Sequence, residues 1–370
     1  MIVTPDLEGI FSTVLPAKAT IGVVHGSSHP AVSVLSMLQR EFHSTVDLGS
    51  VSPHTPKDEI DRAGAIARQT GVEYIVGVGG GSIIDAAKLI ALSSAAGNIT
   101  PYALKFTPPD RMEFNLLAAE LIASVPSVIA VPTTAGSASE ISAGAGMRVG
   151  REKLLFNQPA LIPSIAIYCP DLVSQAPPHI WYPSWLSAVA RGFESIYSKR
   201  RSWLSDAWAF EGLRLLGSAP RNPHTDDRLS LEQARALLAG SMLTGKALGM
   251  AGGGVVHAIG HAVGALTGLP HGIAHGACLP IAVAEVIRLV PPLFPVLAHA
   301  AGQLSGKAPD SPILLREELN GLRWRSLEPN WDQIFERSAV VEATILEPLI
   351  MTHPFPVTRP FVELIISSLV

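Results

Sequence analysis

The residues best able to do chemistry are concentrated between positions 252 and 280, GGGVVHAIGHAVGALTGLPHGIAHGACLP. Four of the twelve histidines fall there, His257, His261, His271 and His275, in two pairs spaced i, i+4. On a helix that spacing puts both rings of a pair on one face. Imidazole binds iron, zinc, copper or nickel, and it exchanges protons near neutral pH. A lone histidine in an apolar helix is ordinarily a satisfied core residue, but two such pairs so close together argue for a site. Ala258 follows His257 where the HExxH helix of a metalloprotease needs glutamate, so the spacing alone leaves the chemistry open.

A second concentration begins at Val72–Val78 (VEYIVGV), which reads as a buried strand. It runs into Gly79, Gly80, Gly81 and Ser82, followed by the helical pattern IIDAAKLIALSS. Strand, glycine turn and helix N-terminus together make a phosphate cradle. Glycine lets the backbone approach closely, and the unpaired N–H groups point at the anion. The plainer alternative is a tight turn with no ligand. A third stretch, Ser127–Val131, opens into Pro132-Thr133-Thr134-Ala135-Gly136-Ser137-Ala138-Ser139-Glu140, a hydroxyl-rich loop suited to a nicotinamide, ribose or phosphate. An ordinary polar turn would read the same way.

These segments must be positioned by a chain of 370 residues, long enough for two domains. Charged residues are 16%, below the roughly 25% of an average soluble protein, and hydrophobic residues are 48%. So apolar a chain has a large core or hides surface in an oligomer. A net charge of −4 with no basic stripe argues against nucleic acid. Leu116–Val131, taken as the longest apolar candidate, is too short for a bilayer and carries Glu120 and Pro126, so no membrane partner is expected. MIVTPDLEG lacks the pattern of a signal peptide. Cys169 and Cys278 are too few for a disulfide framework, which fits a reducing, cytoplasmic setting.

Thr20–Val24, a helix near Ala31–Phe42, a polar stretch to residue 56, and a helix over Pro56–Thr70 suggest a βαβ start. The first strand ends at Gly26 without the acidic residue that often holds an adenosine ribose. Strict preference for NAD is therefore not expected, and a 2′-phosphate is tolerable. Residues 98–126 read as a long connection with one short helix, and Pro163–Tyr168 as a further strand. Beyond about residue 172 strand patterns stop. Helical segments follow at Trp185–Ser198, Ser205–Leu216, Leu229–Met250, Val255–Thr267 and Gly276–Arg288. The expected plan is an α/β dinucleotide-binding domain over 1–172 and an all-α substrate and catalytic domain over 173–370, with the histidines facing the glycine turn across a cleft. Trp181, Trp185, Trp203 and Trp208 suit core packing or a dimer interface, with Trp185 near enough to a pocket to form its wall. Lys199-Arg200-Arg201 reads as a solvated helix end, and Cys278 as a small core residue.

GGGSIIDAAK, PTTAGSASE and HAIGHAVGALTGLPHGIAHG, in that order, resemble the iron-containing alcohol dehydrogenases, nearest their maleylacetate reductase branch. THPFPVTRPFVELI resembles that family's closing segment. The resemblance implies a dehydroquinate-synthase-like fold and a homodimer. NAD(H) or NADP(H) would lie over Gly79, Gly80, Gly81 and Ser82, with Asp85 and Lys88 on the next helix. Thr133, Thr134 and Ser137 would line its other side. Metal-dependent members hold a divalent ion with an Asp and a His at i, i+4, plus two later histidines that correspond to His257 and His271. Aligned by Glu194, the earlier helix SWLSAVARGFESIYS puts Ser187 at the Asp position and Arg191 at the His position. A serine hydroxyl is a weak ligand, and a guanidinium has no lone pair to give. Cys169 replaces the aspartate common in the family's "DP" turn.

The first expectation is thus reduction of a small carbonyl substrate, carboxylate-bearing or enone-type, without metal. Arg191 would polarise the carbonyl or pair a carboxylate, and His261 would donate the proton. The second keeps the fold but performs a redox-neutral cyclisation, dehydration or isomerisation through Arg191 and the histidines. The third binds zinc or iron through His257, His271 and either His261 or His275, against the field of Arg191.

Overall fold

A computed structural model describes residues 1–4, 6–107, 111–113, 116–150, 152–221, 228–323 and 327–369. The chain forms two compact units. The first comprises Met1–Lys105, Glu113–Thr134 and Ala138–Ala176, and the second comprises Phe106–Met112, Ala135–Ser137 and Pro177–Val370.

The first unit is built on a six-stranded parallel sheet. Its strands are β1 (Ile2–Val3), β2 (Ile21–His25), β3 (Thr45–Ser50), β4 (Tyr74–Gly79), β5 (Ser127–Pro132) and β6 (Ile165–Tyr168), in the spatial order β1-β6-β5-β4-β2-β3. A parallel sheet covered on both faces needs strands that are apolar throughout. β2, β4 and β5 meet that requirement, and β4 divides its side chains between two cores. Ile75 packs with Ile60, Ala87 and Leu92 on one face, and Val76 and Val78 pack with Val23, Ile129 and Val131 on the other. The covering helices include α1 (His29–Glu41), α2 (Lys57–Gln69) and α3 (Gly81–Ala96). Asp58 and Glu59 in the first turn of α2 and Arg68 in its last turn complement the helix dipole.

The polar stretch before residue 56 holds β3, an edge strand that pairs, among the described residues, with β2 alone. Its Asp47 and Gly49 hide the usual strand pattern, and at an edge nothing requires apolar residues throughout. A hairpin, Gly144–Val149 with Glu152–Asn157, was likewise not expected. The connection 98–126 contains the short strands Lys105–Thr107 and Arg111–Glu113 and the helix Ala119–Ser124, and part of it lies outside the described residues.

Helices make up the second unit. They include α4 (Pro178–Tyr197), α5 (Trp203–Leu216), α6 (Leu231–Ala251), α7 (Val255–Thr267) and α8 (His271–Leu289). Capping boxes at Ser202/Ser205 and Ser230/Gln233 start α5 and α6. Gly272 lets α8 approach α4 so closely that a Cβ there would overlap the Pro183 carbonyl oxygen. Among the described residues α8, not Leu116–Val131, is the one helix long and apolar enough to cross a membrane. Most of it is buried within its own unit. Trp181 and Trp185 are core residues, and the Trp185 indole donates to the Leu216 carbonyl at 2.9 Å instead of forming a pocket wall. Trp203, by contrast, is 82% exposed.

Candidate functional site

The first unit carries the glycine turn. β4 leads through Gly79 into Gly80, the extended N-cap of α3. Among the described residues no side chain caps this helix, and no acidic residue sits in its first turn. Its N-terminal N–H groups and dipole therefore favour an anion. At Gly79 the packing requires glycine, because a Cβ there would come 2.6 Å from Ile83; a Cβ on Gly80 would make only ordinary contact with the Thr134 hydroxyl, at 3.4 Å. The chain leaves β2 outward to β3 and returns on the other side to β4, which makes the ends of β2 and β4 a topological switch point, the usual dinucleotide crevice of such sheets. Gly26 donates to the Val78 carbonyl and Thr133 to the Gly79 carbonyl, both at 3.0 Å, tying the neighbouring turns to this edge. The backbone at Gly79–Ser82 fits a nucleotide phosphate.

Asp85 and Lys88 brace the turn from behind. The Asp85 carboxylate accepts from the Ser139 hydroxyl and from Gly146 N–H at 3.1 Å. Lys88, fully buried, donates to the carbonyls of Ser142 and Gly144 at 3.0 and 2.8 Å, with Asp85 at 3.8 Å. Burial pushes its pKa down, and Asp85 and Glu140 oppose that shift. Thr133 and Thr134 belong to the first unit and Ser137 to the second.

In the second unit, α4 presents Ser187, Arg191 and Glu194 along one stripe, as i, i+4 and i+7 spacing dictates. Each meets a different partner. Ser187 Oγ lies 3.0 Å from His275 Nδ1. Arg191, 4% exposed, donates to the Gly136 carbonyl oxygen and to Ser241 Oγ, the latter at 3.1 Å. Two guanidinium donors are thus engaged by protein acceptors, and a fixed positive charge is held inside the cluster. Glu194 is fully buried. It accepts from the backbone N–H groups of Val256 and His257 at 2.8 and 3.3 Å, from Tyr197 at 3.0 Å, and from His257 Nδ1. Burial alone would raise its pKa, but His257 and these donors outweigh it and hold the carboxyl low. The same carboxylate caps α7, because its charge sits on the N–H groups of the first turn. Glu194 was used only to set the register of the sequence comparison. Its role was missed because its partners lie about sixty residues away, although a buried-looking acid one turn from Arg191 was a signal.

The four histidines do come together. The rings of His257 and His275 are 4.2 Å apart, those of His261 and His271 5.3 Å, and those of His271 and His275 6.3 Å. His271 Nδ1 donates to the Gly260 carbonyl at 2.9 Å, and His261 Nδ1 is 3.4 Å from Glu347. Burial, then the neighbouring His257, His271, His261 and Arg191, push the pKa of His275 well below the ordinary value, so its ring is neutral. His257 and His271 each use Nδ1 for a hydrogen bond, to Glu194 and to the Gly260 carbonyl, as metal-binding histidines do with the nitrogen away from the metal. At the two positions where the resemblance would put the other ligands stand Ser187, tied to His275, and Arg191, a cation. Among the described residues no group of three or more His, Cys, Asp or Glu side chains is disposed to hold a metal ion. The donor set therefore does not fit the iron that the resemblance implies.

Residues 12–170 match the family described as iron-containing alcohol dehydrogenase, and residues 184–301 match the Fe-containing alcohol dehydrogenase family, C-terminal. The chain is 30% identical over 228 residues to long-chain-alcohol dehydrogenase 1 of Geobacillus thermodenitrificans (strain NG80-2), covering 61% of this chain and 55% of that one. It is 28% identical over 253 residues to the maleylacetate reductase of Rhizobium sp. (strain MTP-10005), covering 68% and 63%. The matched stretch thus spans little more than half of these curated relatives. Among solved structures, the iron-containing alcohol dehydrogenase of Thermococcus thioreducens superposes with a TM-score of 0.82 at 21% identity, over 99% of this chain and 97% of that one. A 1,3-propanediol oxidoreductase does so with a TM-score of 0.80 at 21% identity, over 100% and 97%. At that identity the two structures establish the fold alone.

Proposed function

We propose, from the premise that the chain belongs to the iron-containing alcohol dehydrogenase family, that it reduces a carbonyl compound with NADH or NADPH and works without a tightly bound metal ion. The observation that carries this reading is the stripe on α4. Where a metal-dependent relative has two ligands, this chain has Ser187, hydrogen-bonded to His275, and Arg191, clamped by Gly136 and Ser241. A guanidinium fixed in a buried site stabilises negative charge developing on a carbonyl oxygen, or anchors a substrate carboxylate. Either role suits a carboxylate-bearing or enone-type substrate. Maleylacetate, a keto-dicarboxylate for which two relatives are named as reductases, has that character.

When bound, the dihydronicotinamide supplies a hydride to the carbonyl carbon. Gly79–Ser82 would hold its pyrophosphate by backbone N–H groups, with Thr133, Thr134 and Ser137 beside it. His261, next to the Glu347 carboxylate, would deliver the proton to the oxygen. His257, oriented by Glu194, and His271, oriented by the Gly260 carbonyl, would line the site. The molecule would act as a homodimer in the cytoplasm on a small-molecule substrate.

Purified protein prepared without added metal should bind NADH or NADPH by fluorescence and carry no stoichiometric metal by elemental analysis. Arg191→Ala should lower turnover of a keto-acid substrate by about 10² or more and leave nucleotide affinity within about twofold. Stoichiometric zinc or iron, or full activity in that variant, would sink the reading. Product formed with no change in NADPH absorbance would move it to redox-neutral chemistry.

A further inference from the structure

The Ser187–His275 pair points to a group that the reading above leaves without a role. Two hydrogen-bond directions fit its 3.0 Å separation. With the ring proton on Nε2, the serine hydroxyl donates to Nδ1. With the proton on Nδ1, the ring donates to Oγ and the hydroxyl proton is turned elsewhere.

The far side of the ring decides between them. His275 Nε2 is buried and has no hydrogen-bond partner among the described residues. It presses on Gly260 of α7, where even a Cβ would overlap it, so the ring edge faces backbone at contact distance. A buried N–H with no acceptor carries the full desolvation cost of a donor, and such orphans are rare. A bare acceptor is tolerated more often. The tautomer that leaves a lone pair at Nε2 is therefore favoured, and its proton sits on Nδ1, aimed at Ser187 Oγ.

The serine O–H is then left over. Three residues earlier on α4, the Ser184 hydroxyl returns to the Ile180 carbonyl of its own helix at 3.1 Å. Ser187 makes no such bond among the described residues, although the same route is open by helix geometry. The ring side of the pair is closed, with His275 2% exposed, whereas Ser187 keeps 9%.

We propose that Ser187 is an oriented hydrogen-bond donor to the oxygen of the substrate carbonyl and that His275 is the positioning residue that sets its direction. The proposal rests on the reductase reading for the identity of that oxygen. Ser187 transfers no proton and forms no covalent bond. The hydride comes from the nicotinamide, the proton comes from His261, and Ser187 stabilises the charge that grows on oxygen in between. His275 thereby acquires a function in the reductase reading.

Two measurements on the full-length protein test this separately. In protein labelled with 15N at the histidine rings, the two-bond nitrogen–proton spectrum reports which nitrogen carries the proton. The His275 signals are assigned by their loss in His275→Asn. Protonation at Nδ1 is expected, and protonation at Nε2 overturns the proposal whatever the reaction is. The second measurement follows NADPH oxidation with 4-oxobutanoate as the probe carbonyl. Ser187→Ala should lose about 10²–10³ in kcat while KM and NADPH affinity move less than about threefold. Ser187→Thr, which keeps a hydroxyl, should recover most of the loss. His275→Asn, whose amide N–H replaces Nδ1–H, should retain more activity than His275→Ala. Unchanged kcat in Ser187→Ala also overturns the proposal. A wild type that oxidises NADPH with no carbonyl compound removes the reductase reading and the substrate contact with it, and the nitrogen spectrum still decides the direction of the bond.

Discussion

The glycine turn after β4 and the histidine cluster of α7 and α8 are built by different means. The turn is made of backbone: a glycine, Gly79, that admits no Cβ, a helix N-terminus with no side-chain cap among the described residues, and a strand buried on both faces. The cluster is made of side chains, each held by a partner far away in sequence. The turn is held by sterics at Gly79. In the cluster, Ser187 and Arg191, at the positions where the resemblance would put two metal ligands, are each hydrogen-bonded within the protein. A backbone-made site therefore constrains residue type through sterics, and a side-chain site constrains it only through the set of partners, which can change together.

Breaking the packing that holds the cluster should have the largest effect. Gly272→Ala would drive a methyl group into the Pro183 carbonyl oxygen, and no side-chain rotation relieves it. Loss of soluble folded protein is expected, read by expression and circular dichroism; a folded variant with normal Tm would contradict the close helix contact. Next comes Glu194→Ala, which removes a buried carboxylate and strands four donors. It should cost roughly 3–5 kcal/mol in denaturant unfolding, while the folded fraction binds NADPH as before. Equal losses of stability and nucleotide affinity would erase the distinction between the two regions.

A smaller effect concerns pH. His353 is buried against Tyr197, Phe355 and Phe361, and burial, partly opposed by Glu194, brings its pKa down to about 4. The unfolded chain then binds a proton that the folded chain refuses, between the ordinary value of 6.5 and about 4. Its contribution is fully present above that window and is lost as pH falls through it, by about 3 kcal/mol in all. His353→Phe should flatten the stability profile in this range; an unchanged slope would show that other groups set it. The smallest effect is expected at the turn. Gly80 has a negative φ, so Gly80→Ala should shift Tm little, yet weaken NADPH binding about tenfold by narrowing the cradle. Unchanged affinity would remove the turn as the phosphate site.

The fold was legible where sequence pattern and burial coincide. β2, β4 and β5 and the helices after residue 177 stand close to where apolar runs and helical spacing put them. β3 was not, because an edge strand with Asp47 and Gly49 leaves no such pattern. Within the site, the pairing of the histidines followed from i, i+4 spacing. The roles of Glu194 and His275 did not, because they depend on contacts that spacing along one helix does not contain. Arg191 was seen as a charge, but its engagement by Gly136 and Ser241 was out of reach for the same reason.

The strand order also sets a schedule for synthesis. β1 pairs with β6, so Ile2 must wait for Ile167, and β5 gains its second neighbour from that same late segment. On a ribosome adding roughly 5–20 residues per second, that interval is about ten to thirty seconds. For the last part of it, roughly 2–7 seconds between the emergence of β5 and that of β6, the nascent sheet exposes an apolar edge at β5, where another chain could add a strand. A chaperone that shields nascent strands would act there, after β5 has emerged and before β6 arrives.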